Sequence, residues 1–244
     1  MRTPTPIVLY IHGGGFIAGN LDEYDMTVRK LAKMTGAMYV SAGYRLASEH
    51  PYPAAVNDTY AAWKWLLANV SVLNGDPARM YIMGSSAGGN LATVVTLKCR
   101  DEGTRMPDGQ MLFYPPTTFR EIEFPSRSYF TSDDEKSYLL TEEFIRRSKT
   151  AYMGTYKNET DPYLSPLDAS LDNTLPPALI QTAQCDPLRD EAKLYAEKLR
   201  RNGVYTRYIE YEGMIHGFLS FWMFFPEGRQ SMREVRQFMQ ETVR

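Results

Sequence analysis

Six short apolar runs, separated by amphipathic stretches, constrain the fold more than any other feature of the chain. They are Ile7–Ile11 (IVLYI), Met38–Ala42 (MYVSA), Met80–Met83 (MYIM), Gln110–Tyr114 (QMLFY), Ala178–Thr182 (ALIQT) and Tyr205–Tyr211 (YTRYIEY). Most are near-continuously apolar, the pattern of strands buried on both faces. The last alternates, with charged Arg207 and Glu210 around Tyr208, as an edge or half-exposed strand would. Helical patterns lie between the runs. Asp58–Val70 carries Ala61, Trp65, Leu66 and Asn69 at helical spacing. Arg189–Arg201 puts Ala192, Tyr195, Ala196 and Leu199 on one face, with acidic residues early and basic residues late, and Asn202-Gly203 supplies the stop. Strand–helix alternation of this kind predicts an α/β chain: a mostly parallel central sheet, all six strands parallel, with helices on both faces. At 244 residues the chain suits a single domain spanning 1–244.

One region breaks the rhythm. Residues 119–157 hold no strand-like run, many charges and several aromatics. Thr141–Ser148 (TEEFIRRS) opens with a capping-type threonine and offers a Glu143–Arg147 pair. The segment reads as a helical insertion, a lid over the sheet edge.

Several function classes drop out on charge and composition. With 27 basic and 29 acidic residues the net charge is −2, which gives no basic surface for nucleic acid and no polybasic segment for anionic lipid. No apolar run reaches the length of a membrane span; Phe218–Phe225 is intensely apolar but short, and Pro226 follows it. Cys99 and Cys185 are too few for a disulfide framework and read as free thiols. Met1–Ile11 lacks the pattern of a signal peptide, so the sequence predicts a cytoplasmic location.

The chemistry concentrates after the third run. Gly84-Ser85-Ser86-Ala87-Gly88 matches G-x-S-x-G, with a strand entering and a helical pattern leaving. In such a turn the central serine takes a strained backbone conformation, and small neighbours two residues either side avoid a clash. Ser86 would project above the carboxyl end of the sheet at a helix N-terminus. Ser85 fits worse, because Met83 and Ala87 flank it at the same offsets. The motif alone also suits a structural glycine turn. Ile11–Phe16 (IHGGGF) places three glycines after the first run, where backbone N–H groups can face a cavity. No Lys-Ser/Thr follows, which disfavours a phosphate loop. A serine nucleophile needs a base. His12 precedes the glycines and reads as a brace for that loop, and His50 lies beside proline in a loop. His216, just past the last strand, is the imidazole at the right place. Asp186 follows the fifth run and is the candidate to orient that imidazole; Asp190 and Glu191 compete but suit the first turn of the next helix. Cys185 is a weaker rival nucleophile, with no His or Asn near it in sequence.

Taken together, HGGGF, SAGYRLASEHPYPAAVND, GSSAGGNLA, CDPLRDE and GMIHGF span nearly the whole chain in the order found in one family. The sequence resembles the hormone-sensitive-lipase-like branch of the α/β-hydrolases, the bacterial carboxylesterases related to arylacetamide deacetylase. The resemblance implies an α/β-hydrolase fold and a Ser86–His216–Asp186 triad. It implies an oxyanion hole from the N–H groups of Gly14, Gly15 and Ala87, and hydrolysis of short- to medium-chain esters without cofactor or metal. Within that reading Phe16, Tyr44, Ser85, Leu188, Ile215 and Phe218 are pocket candidates, as is Trp222; core packing explains the aromatics equally well. Two other activities share the constellation: amide or acetyl-group hydrolysis by the same triad, and a catalytically silent binding protein. The chain departs from the family at Ser85, where aspartate is usual, and at Ser48, where proline is usual. Relatives also carry a helical cap and two leading strands before the glycine-run strand, and these are missing here. Met38–Ala42 is therefore expected at an open sheet edge, an apolar liability that a second copy of the chain could cover.

Overall fold

The structure, a computed structural model, describes residues 4–129 and 139–242. Residues 130–138 of the expected insertion lie outside the described residues. All six expected strands are present: β1 (Thr5–Ile11), β2 (Met38–Ala42), β3 (Gly75–Ser85), β4 (Gly109–Phe113), β5 (Ala178–Cys185) and β6 (Thr206–Ile215). They form one sheet in the order β2-β1-β3-β4-β5-β6, and every pairing is parallel. The chain moves outward from β1 to β2, then crosses back to β3 and continues the other way. The switch of direction falls between β1 and β3, where a crevice opens above the carboxyl ends of a parallel sheet.

Strand pleating divides the core in two. Ile7, Leu9 and Ile11 of β1 face one layer, together with Met80 and Ile82 of β3. Val8 and Tyr10, with Tyr81 and Met83, face the other. The first layer packs against α2 (Ala54–Asn69), α3 (Ala87–Asp101) and α5 (Arg189–Arg201). The second packs against α1 (Leu21–Thr35) and α6 (Pro226–Glu241). Helices therefore cover both faces, and strands buried on both sides need the unbroken apolar runs seen in the sequence. The edges are β2 and β6; β6 is at the edge as its sequence predicts and is partly exposed, with only Thr206 and Tyr211 buried, without a strict alternation.

Helix α1 shows how local signals set element limits. Asn20 caps it by accepting from the Glu23 N–H at 3.0 Å, and Gly36 ends it in the left-handed region at φ +72°. The helix of the insertion, α4 (Glu142–Met153), starts as expected, with the Thr141 hydroxyl accepting from the Phe144 N–H at 3.1 Å. Glu143, however, pairs with Arg146 rather than Arg147. Residues three and four apart are both neighbours on a helix, and here the nearer one is engaged.

The face of α2 also differs from the sequence reading. Its buried residues are Ala55, Val56, Thr59, Tyr60, Trp63 and Leu66, whereas Trp65 is 52% exposed. The helix begins at Ala54, before Asp58, and the added turn brings Ala55 and Val56 into the pattern. Trp63 then defines the inward direction, and Trp65, about 200° further round, points out. Trp63 is fully buried and donates its indole N–H to the Arg105 carbonyl at 2.9 Å. Trp63→Ala is expected to lower the unfolding free energy by about 3–5 kcal/mol, and Trp65→Ala by less than about 0.5 kcal/mol. Urea unfolding of the two variants checks this; equal losses would contradict the assigned face.

Candidate active site

The turn from β3 into α3 is built on close backbone approach. A side-chain carbon on Gly84 would lie 2.0 Å from the Gly88 carbonyl oxygen, and one on Gly88 would lie 2.1 Å from the Ile11 carbonyl oxygen. Neither position has room for anything larger than hydrogen. Between them Ser86 sits at φ +53°, ψ −124°, a costly conformation for a residue with a side chain. Its N–H donates to the Phe113 carbonyl at 2.8 Å, and its own carbonyl accepts from Gly89 and Asn90 as α3 begins. Tethered on both sides, the strained residue keeps its hydroxyl above the sheet. Ser85 points the other way: it is buried, and its hydroxyl shares a hydrogen bond with Tyr10 at 3.1 Å.

Asp186 stands just past β5 and His216 just past β6. The His216 Nδ1 donates to Asp186 Oδ2 at 2.8 Å, and its Nε2 lies 2.9 Å from Ser86 Oγ. With Nδ1 facing a carboxylate, Nε2 is left to accept the serine proton. Asp186 is fully buried, and its other oxygen accepts from the Leu188 N–H at 2.9 Å, so both carboxylate oxygens are engaged. The ring of Tyr114 lies 4.6 Å from that of His216 and fixes its plane. The structure thus brings Ser86, His216 and Asp186 into one hydrogen-bonded line. His12 stays apart, with Nδ1 2.8 Å from the Gly13 carbonyl and its ring stacked on Tyr44 at 4.3 Å. Burial lowers its affinity for a proton, and it braces the glycine loop. His50 is exposed.

The loop after β1 runs beside the turn at Ser86. Among the described residues, the N–H groups of Gly14, Gly15 and Ala87 make no hydrogen bond, while Gly14 offers its carbonyl to the N–H groups of Ile17 and Ala18. Gly15, Ser86 and Ala87 line a cavity of ≈ 970 Å³. Phe16 and Leu188 also line it, as the sequence suggested. Tyr44, Ser85, Ile215 and Phe218 do not: Tyr44 packs on His12, and Phe218 lies in the core layer beneath the sheet against Tyr114 and Tyr211. The cavity takes its outer wall from the insertion, through Phe119, Leu140, Phe144, Ile145, Ser148 and Met153. All six fall within residues 119–157, the segment set apart in the sequence, although their individual places in the wall depend on contacts that the sequence does not show. Among the described residues no group of His, Cys, Asp and Glu could hold a metal ion. Cys99 is buried, which pushes its thiol up to about 12, and Cys185 closes β5 beside Asp186.

A family described as having the alpha/beta hydrolase fold matches residues 8–220. This chain belongs to that family. Among curated relatives it is 37% identical over 239 residues to the carboxylesterase NlhH of Mycobacterium tuberculosis, a match covering 95% of this chain and 72% of that protein. It is 31% identical over 235 residues to an ethyl acetate hydrolase of Pseudomonas putida, covering 96% and 72%. Among solved α/β-hydrolase structures, a hyperthermophilic esterase from the archaeon Pyrobaculum calidifontis superposes with a TM-score of 0.93 at 38% identity, covering 99% of this chain and 78% of that one. EstE1, a thermostable carboxylesterase cloned from a metagenomic library, gives 0.94 at 36% identity, covering 100% and 82%.

In this α/β-hydrolase, Glu191 departs from its sequence reading. It lies in the first turn of α5, as expected, but it is fully buried and lines the cavity. Its Oε1 accepts from the Thr117 N–H at 2.7 Å, and its Oε2 pairs with Arg127 at 2.6 Å. It ties α5 to the insertion instead of serving the helix dipole from solvent. Burial pushes its carboxyl from an ordinary 4.5 up to about 7, against the pull of Arg127 and the two threonine N–H groups. Between those values the folded chain holds a proton that the unfolded chain has released. The stability from this group is therefore complete below 4.5 and lost as pH rises through 7. Chemical unfolding across that window is expected to show the wild type losing stability relative to Glu191→Gln. A pH-independent difference would contradict it.

Proposed function

We propose that this chain is a serine carboxylic-ester hydrolase acting on short- to medium-chain acyl esters. The observation that carries the reading is the line from Ser86 Oγ through His216 to Asp186, at 2.9 and 2.8 Å, beside uncommitted backbone N–H groups. His216 takes the Ser86 proton as the hydroxyl attacks the ester carbonyl. The N–H groups of Gly14, Gly15 and Ala87 receive the developing oxyanion, at a helix N-terminus where negative charge is favoured. The tetrahedral intermediate collapses to an acyl-enzyme as His216 protonates the departing alcohol. Water, activated by the same imidazole, then releases the acid and frees Ser86. Asp186 holds the ring and balances its charge while it carries the extra proton. The carboxylesterase and esterase names of relatives at 30–41% identity support the ester as substrate.

The same reading extends to the surroundings of the site. Residues 119–157 serve as a lid within a single domain, and a second copy of the chain covers β2. Among the described residues no strand pairs with the outer side of β2. Light scattering that shows a stable monomer would count against the second copy. No helix among the described residues is long and apolar enough to cross a membrane.

Hydrolysis of p-nitrophenyl esters of graded acyl length tests the activity. Rates are expected to peak below about eight carbons. Ser86→Ala is expected to cost about 10⁴-fold or more in kcat, and Asp186→Asn on the order of 10⁴-fold, as in serine proteases. Undiminished turnover by Ser86→Ala would refute the mechanism. Cleavage of the matching anilides in preference to the esters would move the chain to amide hydrolysis.

A further inference from the structure

We propose that the Ser148 hydroxyl is a specificity contact that hydrogen-bonds an acceptor oxygen carried by the substrate next to its reacting ester group. This rests on the ester-hydrolase reading and adds a substrate class to it. Ser148 belongs to α4, several of whose residues line the cavity. It lines the same cavity as Ser86 and Ala87. Its residue is 6% exposed, and its Oγ has no hydrogen-bond partner. Buried hydroxyls are costly to leave unpaired and nearly always find a partner, often the carbonyl one turn back when they sit on a helix. This one does not, although Thr93 and Thr96 on α3 both bond back in that way.

The position of the hydroxyl points to its partner. A side-chain carbon built on Gly15 would lie 2.5 Å from Ser148 Oγ and 2.8 Å from Phe144 Cε1. Ser148 and Phe144, one turn apart on α4, thus close over the glycine whose N–H is offered to the oxyanion. The hydroxyl occupies the side-chain direction of residue 15, which diverges from its N–H direction. Gly15 lines the cavity with Ser86, so on this proposal a substrate atom that reaches the hydroxyl is one beside the reacting carbonyl and not the carbonyl oxygen that the Gly15 N–H receives. The apolar part of the cavity wall includes Phe16, Phe119 and Leu188, beside charged groups such as Arg127, Lys149 and Glu191. A plain alkyl chain fills such a wall but leaves the hydroxyl unpaired. An ester bearing an ether, hydroxyl or keto oxygen near the carbonyl fills it and accepts the bond. A site with a buried polar group discriminates against analogues that leave the group unpaired.

Two isosteric pairs test this. p-Nitrophenyl methoxyacetate and p-nitrophenyl butyrate differ by an oxygen for a methylene in the acyl arm. 2-Methoxyethyl acetate and butyl acetate differ in the same way in the alcohol arm. Comparing wild type with Ser148→Ala cancels the intrinsic reactivity of each ester. The ether-to-methylene ratio of kcat/KM is expected to fall about 5- to 10-fold in Ser148→Ala for one of the pairs, and that pair identifies the arm. The thermal midpoint should stay level or rise, because the substitution removes an unpaired buried hydroxyl. Ratios that do not move in either pair would overturn the proposal. So would an equal fall in all four rates, which would make Ser148 an oxyanion donor or a structural residue. Failure of the ester-hydrolase reading looks different: the wild type would cleave none of the four esters, or Ser86→Ala would cleave them undiminished.

Discussion

The site depends on one steric constraint: the contact between the start of α3 and the carboxyl ends of β1 and β3. With Gly84 against the Gly88 carbonyl and Gly88 against that of Ile11, helix and strands meet backbone to backbone. The approach forces Ser86 to φ +53°, a strain of order 1–3 kcal/mol that surrounding structure has to offset. It is offset by burial. Nearly every residue of α3 from Ala87 to Cys99 is buried between the sheet and α2, so the helix cannot relax away from the turn. Once that is fixed, Ser86, Ala87 and Gly15 of the loop after β1 all border one cavity. The switch of strand direction between β1 and β3 supplies the crevice they share.

Two acidic residues five positions apart then take different roles because their partners differ. Asp186 is held by one backbone N–H and the imidazole of His216. Glu191, five residues on, faces Arg127 and the Thr117 N–H, and serves as a tie between α5 and the stretch around Arg127. Asp190 lies between them and reaches the Ser126 N–H at 2.8 Å, adding a second tie to the same stretch of the insertion. The segment that positions the triad carboxylate is therefore also the segment that anchors the cavity wall.

Much of this was legible in the chain. Strands buried on both faces need unbroken apolar runs, so IVLYI and MYIM announced a parallel sheet, and the alternation in YTRYIEY announced an edge. The turn at Ser86 was legible because close backbone approach admits only glycine at 84 and 88. Other features were hidden for physical reasons. Helical spacing within Asp58–Val70 does not decide between Trp63 and Trp65; the turn before it, with Ala55 and Val56, settles which side faces inward. Glu191 looks like any acidic first-turn residue until a distant arginine is brought onto it. Ser148 carries no signal in a polar stretch; its meaning comes from Gly15, more than a hundred positions away, resting against its hydroxyl.

The central claim is that one of two adjacent serines is the nucleophile, selected by backbone geometry. Treating the intact protein with a fluorophosphonate ester and mapping the adduct by peptide mass spectrometry tests it most directly. The account predicts one adduct per chain, on Ser86, absent in His216→Ala. An adduct on Ser85, or no adduct on the folded wild-type protein, would contradict it.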